Sequence, residues 1–92
     1  MIKTFRCADT ALMFSGGRAA RFANIAIVAT RKLQQLDSAA TLQALKAPPG
    51  NRLEKLTGNR RGQHSVRIND PWRLCFVWKS QGVFDVEIVD YH

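Results

Sequence analysis

Apolar and polar residues alternate along the second half of the chain, and a period of two predicts β-strands. The pattern occurs in four stretches, at residues 52–56 (weakly), 63–69, 72–78 and 83–89. Residues 69–71 (Asn-Asp-Pro) predict a turn after the second stretch, and residues 79–82 (Lys-Ser-Gln-Gly) predict a hairpin turn after the third. The second half therefore predicts a small antiparallel sheet.

Two of the predicted strands have one strongly apolar face. In residues 72–78 this face consists of Trp72, Leu74, Phe76 and Trp78. In residues 83–89 the alternation assigns to one face Phe84, Val86 and Ile88. Arg73 falls on the opposite, open face of its strand. An arginine inside such an apolar strand lowers stability unless its charge has a partner or a function. An ion pair with Asp85 or Glu87 across the sheet is one interpretation.

The first half has the helical period instead. Residues 18–38 predict the longer helix, with an apolar stripe made of Phe22, Ile25, Ala26, Ala29, Leu33 and Leu36. Residues 8–14 predict a shorter helix, residues 2–6 a first strand, and residues 41–45 one more turn. The helical stripe and the apolar face of 72–78 are the two large apolar surfaces. We expect them to pack together in a single α+β domain spanning residues 1–92.

Charge is the feature of the composition that bears most on function. The chain has 92 residues, of which 46% are hydrophobic, and this size and composition are typical of one small folded domain. Its net charge of +7 indicates a basic surface. The central basic residues are Lys46, Arg52, Lys55, Arg60, Arg61, Arg67 and Arg73. Such a block indicates a polyanionic partner, most simply nucleic acid. A solvated basic surface that aids solubility is the alternative interpretation.

Cysteine usage and hydropathy indicate a cytoplasmic protein. Cys7 and Cys75 lie far apart without a Cys-x-x-Cys spacing, so we expect reduced apolar fillers rather than a disulfide or a metal site. The sequence has no signal-peptide pattern and no run of the roughly 18–20 apolar residues that span a bilayer. We therefore expect no membrane partner.

The last three residues carry the strongest indication of chemistry. Asp90, Tyr91 and His92 follow the apolar run 86–89 directly. RNA is cut without metal or cofactor when its 2′-hydroxyl attacks the adjacent phosphate, which requires a base, an acid and a cation. His92 titrates near neutrality, Tyr91 can donate a proton or stack on a base, and Asp90 can orient a neighbour or act as base. Arg73 offers a planar fork of donors to phosphate.

Motifs of other enzyme classes are absent from the sequence. It contains no GxxxxGK[ST] phosphate loop, no HExxH, no GxSxG and no cluster of carboxylates for a two-metal site. We therefore expect neither a metal nor a cofactor.

Three motifs, in this order and spacing, resemble one known family. They are Leu56-Thr57-Gly58 with the later Gly62, Trp72-Arg73-Leu74-Cys75-Phe76, and Asp90-Tyr91-His92. Together with the start, Met1-Ile2-Lys3-Thr4-Phe5, they closely resemble the HigB-type toxins of the RelE/ParE superfamily over essentially the whole chain. The resemblance implies the RelE/ParE-like fold, with an N-terminal strand and two helices packed on a small antiparallel sheet.

The same resemblance implies a function and partners. The function is that of the toxin of a type II toxin–antitoxin pair, a metal-independent endoribonuclease (mRNA interferase) that cuts translated mRNA in the ribosomal A site and inhibits growth. The implied partners are the ribosome with its rRNA, mRNA, and a HigA-type helix-turn-helix antitoxin, whose complex with the toxin binds operator DNA. On the matching positions, Arg73 holds the scissile phosphate, and Asp90, Tyr91 and His92 form the rest of the site.

One position departs from the family pattern. Some members have a histidine before the Leu-x-Gly step, where this chain has Glu54. Either Glu54 takes over a role in proton transfer or the site is weaker. Contacts to RNA are expected from the neighbouring basic residues Lys55, Arg60, Arg61 and Arg67. His64 is a weaker candidate for the site than His92, because a single histidine in a strand is more often a structural or surface residue.

Two other functions stay open. The superfamily includes ParE-type toxins that inhibit gyrase, and the ending Tyr91-His92 argues against that function. A non-catalytic RNA-binding module needs only the basic block.

Overall fold

The fold is one four-stranded antiparallel sheet with helices packed on one face, in a computed structural model that describes residues 1–48 and 50–90. The strands lie side by side in chain order: β1 (Glu54–Lys55), β2 (His64–Arg67), β3 (Trp72–Lys79) and β4 (Gly82–Asp90). The α-helices are α1 (Ala8–Phe14) and α2 (Ala26–Ser38), and 3₁₀-helical segments lie at Ala20–Ile25, Gln43–Lys46 and Gly58–Arg60. The predicted α+β class is confirmed. Within the described ranges, no helix combines the length and the apolar character that crossing a bilayer needs.

The core lies between the helices and one face of the sheet, which we call the helix face. The buried residues of this face include Val66, Leu74, Phe76 and Ile88. The helical segments contribute Phe22, Ile25, Ala29, Leu33 and Leu36 to the same cluster. The rings of Phe22 and Trp72 meet edge to face with their centroids 5.6 Å apart. The predicted packing of the helical stripe on the apolar face of 72–78 is therefore confirmed.

The helix predicted over 18–38 is divided into two parts. Ala20–Ile25 is 3₁₀-helical, and the α-helix begins only at Ala26. A 3₁₀-helix has three residues per turn, so Phe22 and Ile25 point to the same side. Both side chains are buried in the core. The 3₁₀-helix thus buries the same apolar residues, Phe22 and Ile25, that the sequence predicted to lie in one continuous α-helix.

A β-bulge in β4 makes the predicted orientation of Phe84 wrong. Between Phe84 and Glu87, β4 advances by three residues while β3 advances by two. Asp85 lies in this step and has a φ of 54°, in the left-handed region. One extra residue reverses the alternation. Val83, rather than Phe84, is therefore the residue before the bulge that is buried in the core.

The N-terminal segment runs parallel to β4 along its outer edge. Isolated bridges join Ile2 to Val83 and Phe5 to Val86. The amide of Val83 donates to the carbonyl of Met1 at 2.9 Å. The strand predicted over residues 2–6 is therefore present as a paired extended segment with two bridges, and it positions β4 beside β3.

The opposite face of the sheet, which we call the second face, is partly covered by the connection between β1 and β2. One row of paired residues across this face consists of Glu54, Ser65, Cys75 and Glu87. Arg60, in the connection, donates from Nη1 to Glu87 Oε1 at 2.8 Å. The Arg60 side chain therefore reaches from the connection to the β4 end of this row. Ser65 and Cys75, in the middle of the row, are fully buried.

Candidate active site

Arg73 lies on the second face, as the alternation of β3 predicts, and is held by two internal partners. Its Nε donates to Ser65 Oγ at 2.8 Å, and its Nη2 donates to the carbonyl oxygen of Arg52 at 2.7 Å. The residue is only 8% exposed. Burial and two hydrogen bonds therefore hold the Arg73 guanidinium in one position.

The carbonyl that accepts from Arg73 belongs to a residue with an unusual backbone. Arg52 has a φ of 46°, in the left-handed region that residues with a Cβ rarely adopt. Its neighbour Asn51 is fully buried, and the Asn51 side chain accepts a hydrogen bond from Lys32 Nζ and donates to the carbonyl of Leu45 at 3.0 Å. The conformation of this segment is therefore fixed by the surrounding structure.

Glu54 is the charged neighbour that the structure gives to Arg73. Its Oε1 lies 3.7 Å from Arg73 Nη2, too far for a hydrogen bond but within the distance of an ion pair. The Glu54 side chain is 55% exposed. The cross-strand partner Glu87, considered for Arg73 from the sequence, is instead engaged by Arg60. A solvent-accessible carboxylate thus lies beside a buried cation.

The other acid of the predicted site lies on the opposite side of the sheet. Asp90 pairs with Trp72, whereas Arg73 pairs with Val89. Residues paired across antiparallel strands project to the same face. Asp90 therefore lies on the helix face, at the end of β4, and Arg73 on the second face.

Tyr91 and His92 follow Asp90 in the sequence and lie outside the described residues. Their assignment to the site stays a prediction from the sequence.

The predicted RNA contacts divide into two groups. Arg60 and Arg67 are bound to carboxylates, Arg60 to Glu87 at 2.8 Å and Arg67 to Asp70 at 3.2 Å. The hydrogen bond from Arg67 and its charge hold the pKa of Asp70 below its ordinary value. Lys55 and Arg61 are exposed. Neither cation of the second group forms an ion pair with another described residue, so both are available to a ligand.

His64 lies on the helix face, away from Arg73. It pairs with Phe76 across β2 and β3, and the two rings stack with centroids 6.2 Å apart. Burial and the charge of Lys55 lower the pKa of His64, so the imidazole is neutral at neutral pH. Its ring borders a cavity of about 290 Å³ lined by Leu42, Gln43, Lys46, Leu53, Lys55 and His64.

Two residues at the candidate site were not predicted from the sequence, namely Ser65 and Arg52. In the sequence, Ser65 alternates with Val66 and therefore falls on the same side of its strand as Arg67. This alternation is the sequence signal that could have indicated Ser65. Arg52 acts through its backbone carbonyl, which no side-chain pattern reveals.

Comparisons with known proteins agree with this fold. Two solved structures from Staphylococcus aureus, a YoeB-YefM complex and a heterotetrameric YoeB-YefM toxin-antitoxin complex, superpose with TM-scores of 0.60 and 0.59. Each match covers 100% of this chain and 98% of the other chain, at 18% and 19% identity. At such low identity the similarity concerns the fold alone, and it agrees with the α+β arrangement described above.

Sequence comparisons extend the similarity to a family. Toxin HigB-1 of Vibrio cholerae is 50% identical over 48 residues, which are 52% of this chain and half the length of that relative. A protein-family model described as "RelE-like toxin of type II toxin-antitoxin system HigB" matches residues 16–92. That match takes in α2, the whole sheet and both residues of the Arg73–Glu54 pair. The chain therefore belongs to the HigB-like family of RelE-like toxins from type II toxin–antitoxin systems.

Proposed function

We propose that this toxin is a ribosome-dependent endoribonuclease that cleaves translated mRNA in the A site and so inhibits growth. The observation that carries the proposal is the Arg73 guanidinium, nearly buried and fixed on the second face with the Glu54 carboxylate 3.7 Å away. A fixed cation beside an accessible carboxylate suits a reaction in which negative charge accumulates on phosphate while a proton is removed nearby.

The proposed reaction needs no metal. The 2′-hydroxyl loses its proton to a base and attacks the adjacent phosphorus, and the bond from phosphorus to the 5′-oxygen breaks. The leaving oxygen takes a proton from an acid, giving a cyclic phosphate and a free 5′-hydroxyl. Arg73 would stabilise the charge on the phosphate. Glu54, Tyr91 and His92 are the proposed proton-transferring groups, and Asp90, which lies on the helix face, is proposed to orient its neighbours.

Two exposed basic residues support the binding of RNA by this protein. Lys55 and Arg61 are exposed and lie on β1 and in the connection to β2, near Glu54 in the chain. Contacts of Lys and Arg with phosphate supply most of the affinity of sequence-independent nucleic-acid binding. We expect the ribosome to supply part of the positioning, because the chain has few strong acid–base groups.

The proposed protein partner is a HigA-type helix-turn-helix antitoxin that neutralises the toxin in the cytoplasm, and whose complex with it represses their operon. The S. aureus neighbours were solved as toxin–antitoxin complexes, which supports an antitoxin partner of this kind. We expect a reading frame beside the gene to encode such a helix-turn-helix protein, and co-expression of that protein should abolish growth inhibition.

Substitution of Arg73 tests the enzymatic proposal. Arg73→Ala should lower mRNA cleavage on translating ribosomes by about 10²–10³-fold, and Arg73→Lys should restore only part of it, because a point charge replaces a fork. Arg73→Ala also leaves Ser65 Oγ and the Arg52 carbonyl without their partner, at a cost of about 1–3 kcal/mol. Circular dichroism must therefore show a folded variant, and the exposed Arg18→Ala serves as the matched control.

Three outcomes would contradict the proposal. A folded Arg73→Ala variant with full cleavage would remove Arg73 from the reaction. Gyrase inhibition with intact mRNA would favour the ParE-like function. Binding to RNA without any cleavage would leave a non-catalytic RNA-binding module.

A further inference from the structure

The Arg73 guanidinium is anchored along one edge. Of its five N–H groups, the Nε–H is taken by Ser65 Oγ at 2.8 Å and one Nη2–H by the Arg52 carbonyl at 2.7 Å. These two donors form the same side edge of the planar group. One Nη1 hydrogen and the second Nη2 hydrogen lie side by side on the outer edge, which therefore offers two parallel donors. A phosphate accepts two parallel N–H bonds in the same geometry.

We propose that the Ser65 hydroxyl and the Arg52 carbonyl are positioning groups, which hold Arg73 so that its outer edge faces the scissile phosphate. This inference rests on the proposed ribonuclease function. Neither group touches RNA. Their effect is to fix the rotation of the guanidinium before RNA arrives, so that the donors already point to where charge develops in the transition state.

Burial argues that the Ser65 hydroxyl has this use. Ser65 is fully buried on the second face, and its row neighbour Cys75 is equally buried and apolar in character. A buried hydroxyl is costly unless it is hydrogen-bonded, and an alanine would fill the same position in the strand without that requirement. In the part of the chain that the structure describes, this hydroxyl is satisfied by the N–H of Arg73 Nε.

The backbone of Arg52 gives independent support. A residue with a Cβ at a φ of 46° is strained, and such strain persists only where the surrounding structure fixes it. On one side the Asn51 carbonyl accepts from the amide of Arg67 at 2.5 Å, and on the other the Arg52 carbonyl accepts from Arg73. The strained turn thus aims two successive carbonyls at two neighbouring strands, β2 and β3.

The test compares two buried hydroxyls. Thr10 is fully buried, and its Oγ1 accepts from the amide of Ile88 at 3.1 Å, on the outer edge of β4 and one strand away from Arg73. Ser65→Ala and Thr10→Val each leave one buried N–H without its acceptor, so their stabilities should fall by similar amounts. Cleavage of ribosome-bound mRNA should separate them: Ser65→Ala should lower kcat at least tenfold with KM changed less than threefold, and Thr10→Val should leave both within twofold. Ser65→Thr, which keeps the hydroxyl, should recover part of kcat.

A second measurement does not depend on activity. In the unsubstituted protein the Arg73 Nε–H should exchange with water at least tenfold more slowly than that of the exposed Arg61, as followed by NMR. Exchange of Arg73 as fast as that of Arg61 would overturn the inference even if a Ser65 variant failed to fold. A folded Ser65→Ala with the full kcat, beside an inactive Arg73→Ala, would overturn the positioning role and leave the proposed function standing. Full activity of Arg73→Ala would overturn both.

Discussion

Arg67 and Arg73 lie directly opposite each other on β2 and β3. Like charges at opposed positions of an antiparallel pair are destabilising. Each guanidinium has a carboxylate of its own, Asp70 at 3.2 Å from Arg67 and Glu54 at 3.7 Å from Arg73. The pair nevertheless concentrates positive charge on the second face, which is where the proposed substrate brings negative charge.

Arg67→Gln should weaken RNA binding without destabilising the fold. The variant loses an ion pair with an exposed partner, which contributes little, and it relieves a repulsion of about 0.2–1 kcal/mol. Urea unfolding should therefore show unchanged or slightly higher stability. The slope of log Kobs against log salt for a single-stranded oligonucleotide should fall by about 0.7. Arg18→Gln is the control, and an equal change of slope in both variants would show that Arg67 has no specific contact.

Glu54→Gln should lower cleavage strongly if this carboxylate takes the proton of the 2′-hydroxyl. A positioned general base typically contributes about 10²–10⁴-fold, and the amide keeps the size but not the basicity of the carboxylate. The fold should be little affected, because the side chain is 55% exposed. Single-turnover cleavage on translating ribosomes measures the effect.

Glu54→His, which introduces the residue that some family members have, should retain activity where Glu54→Gln does not. Full activity of Glu54→Gln would instead assign the proton transfer to the end of the chain.

A truncation that ends at Asp90 should eliminate cleavage and leave the fold intact. β4 pairs with β3 as far as Asp90, which lies opposite Trp72, and removal of the two residues beyond Asp90 should change stability by no more than about 0.5 kcal/mol. Thermal unfolding and ribosome-dependent cleavage are the two measurements. His92→Gln should lose proton transfer, and Tyr91→Phe should keep any stacking on a base. A lower melting temperature with activity reduced in proportion would indicate a structural role instead.

His64 should make the stability of the fold decrease at mildly acidic pH. Burial and the nearby Lys55 lower its pKa below the ordinary 6.5, so the unfolded chain takes up a proton at this residue before the folded protein does. The contribution of neutral His64 to the free energy of unfolding is complete above pH 6.5, and it is lost as the pH falls through the pKa of His64 in the folded state. Urea unfolding between about pH 7.5 and pH 5 should show this loss in the unsubstituted protein and less of it in His64→Gln. His92→Gln, a change at the only other histidine, should retain the loss.

Much of the fold follows from the spacing of apolar residues, because both large apolar surfaces have to be buried against each other. The same spacing failed at Phe84, since a single residue in the left-handed region at Asp85 reverses the alternation and leaves no trace in the pattern. Register also decided the relation between Arg73 and Asp90. Both were predicted to belong to one site, and the pairing of Asp90 with Trp72 puts their side chains on different faces.

The candidate site was predicted only in part for a related reason. An arginine inside a strand is conspicuous in the sequence, but its partners come from 8 and 21 residues away and one of them is a backbone carbonyl. Contacts of this kind depend on the turn at Arg52 and on the pairing of β2 with β3. Neither the turn nor the pairing is specified by the residue types at the site alone.

The N-terminal segment beside β4 has a consequence for how other proteins recognise this toxin. The outward amides of Val83 and Val86 donate to Met1 and Thr4 carbonyls, and those of Asp85 and Ile88 donate to the hydroxyls of Thr4 and Thr10. At the other edge of the sheet, β1 is only two residues long, and both are charged. An exposed strand edge is the usual template for self-association and for the addition of a foreign strand. The β4 edge is thus covered along these four amides, and the β1 edge is short and charged, and both features oppose the addition of a foreign strand.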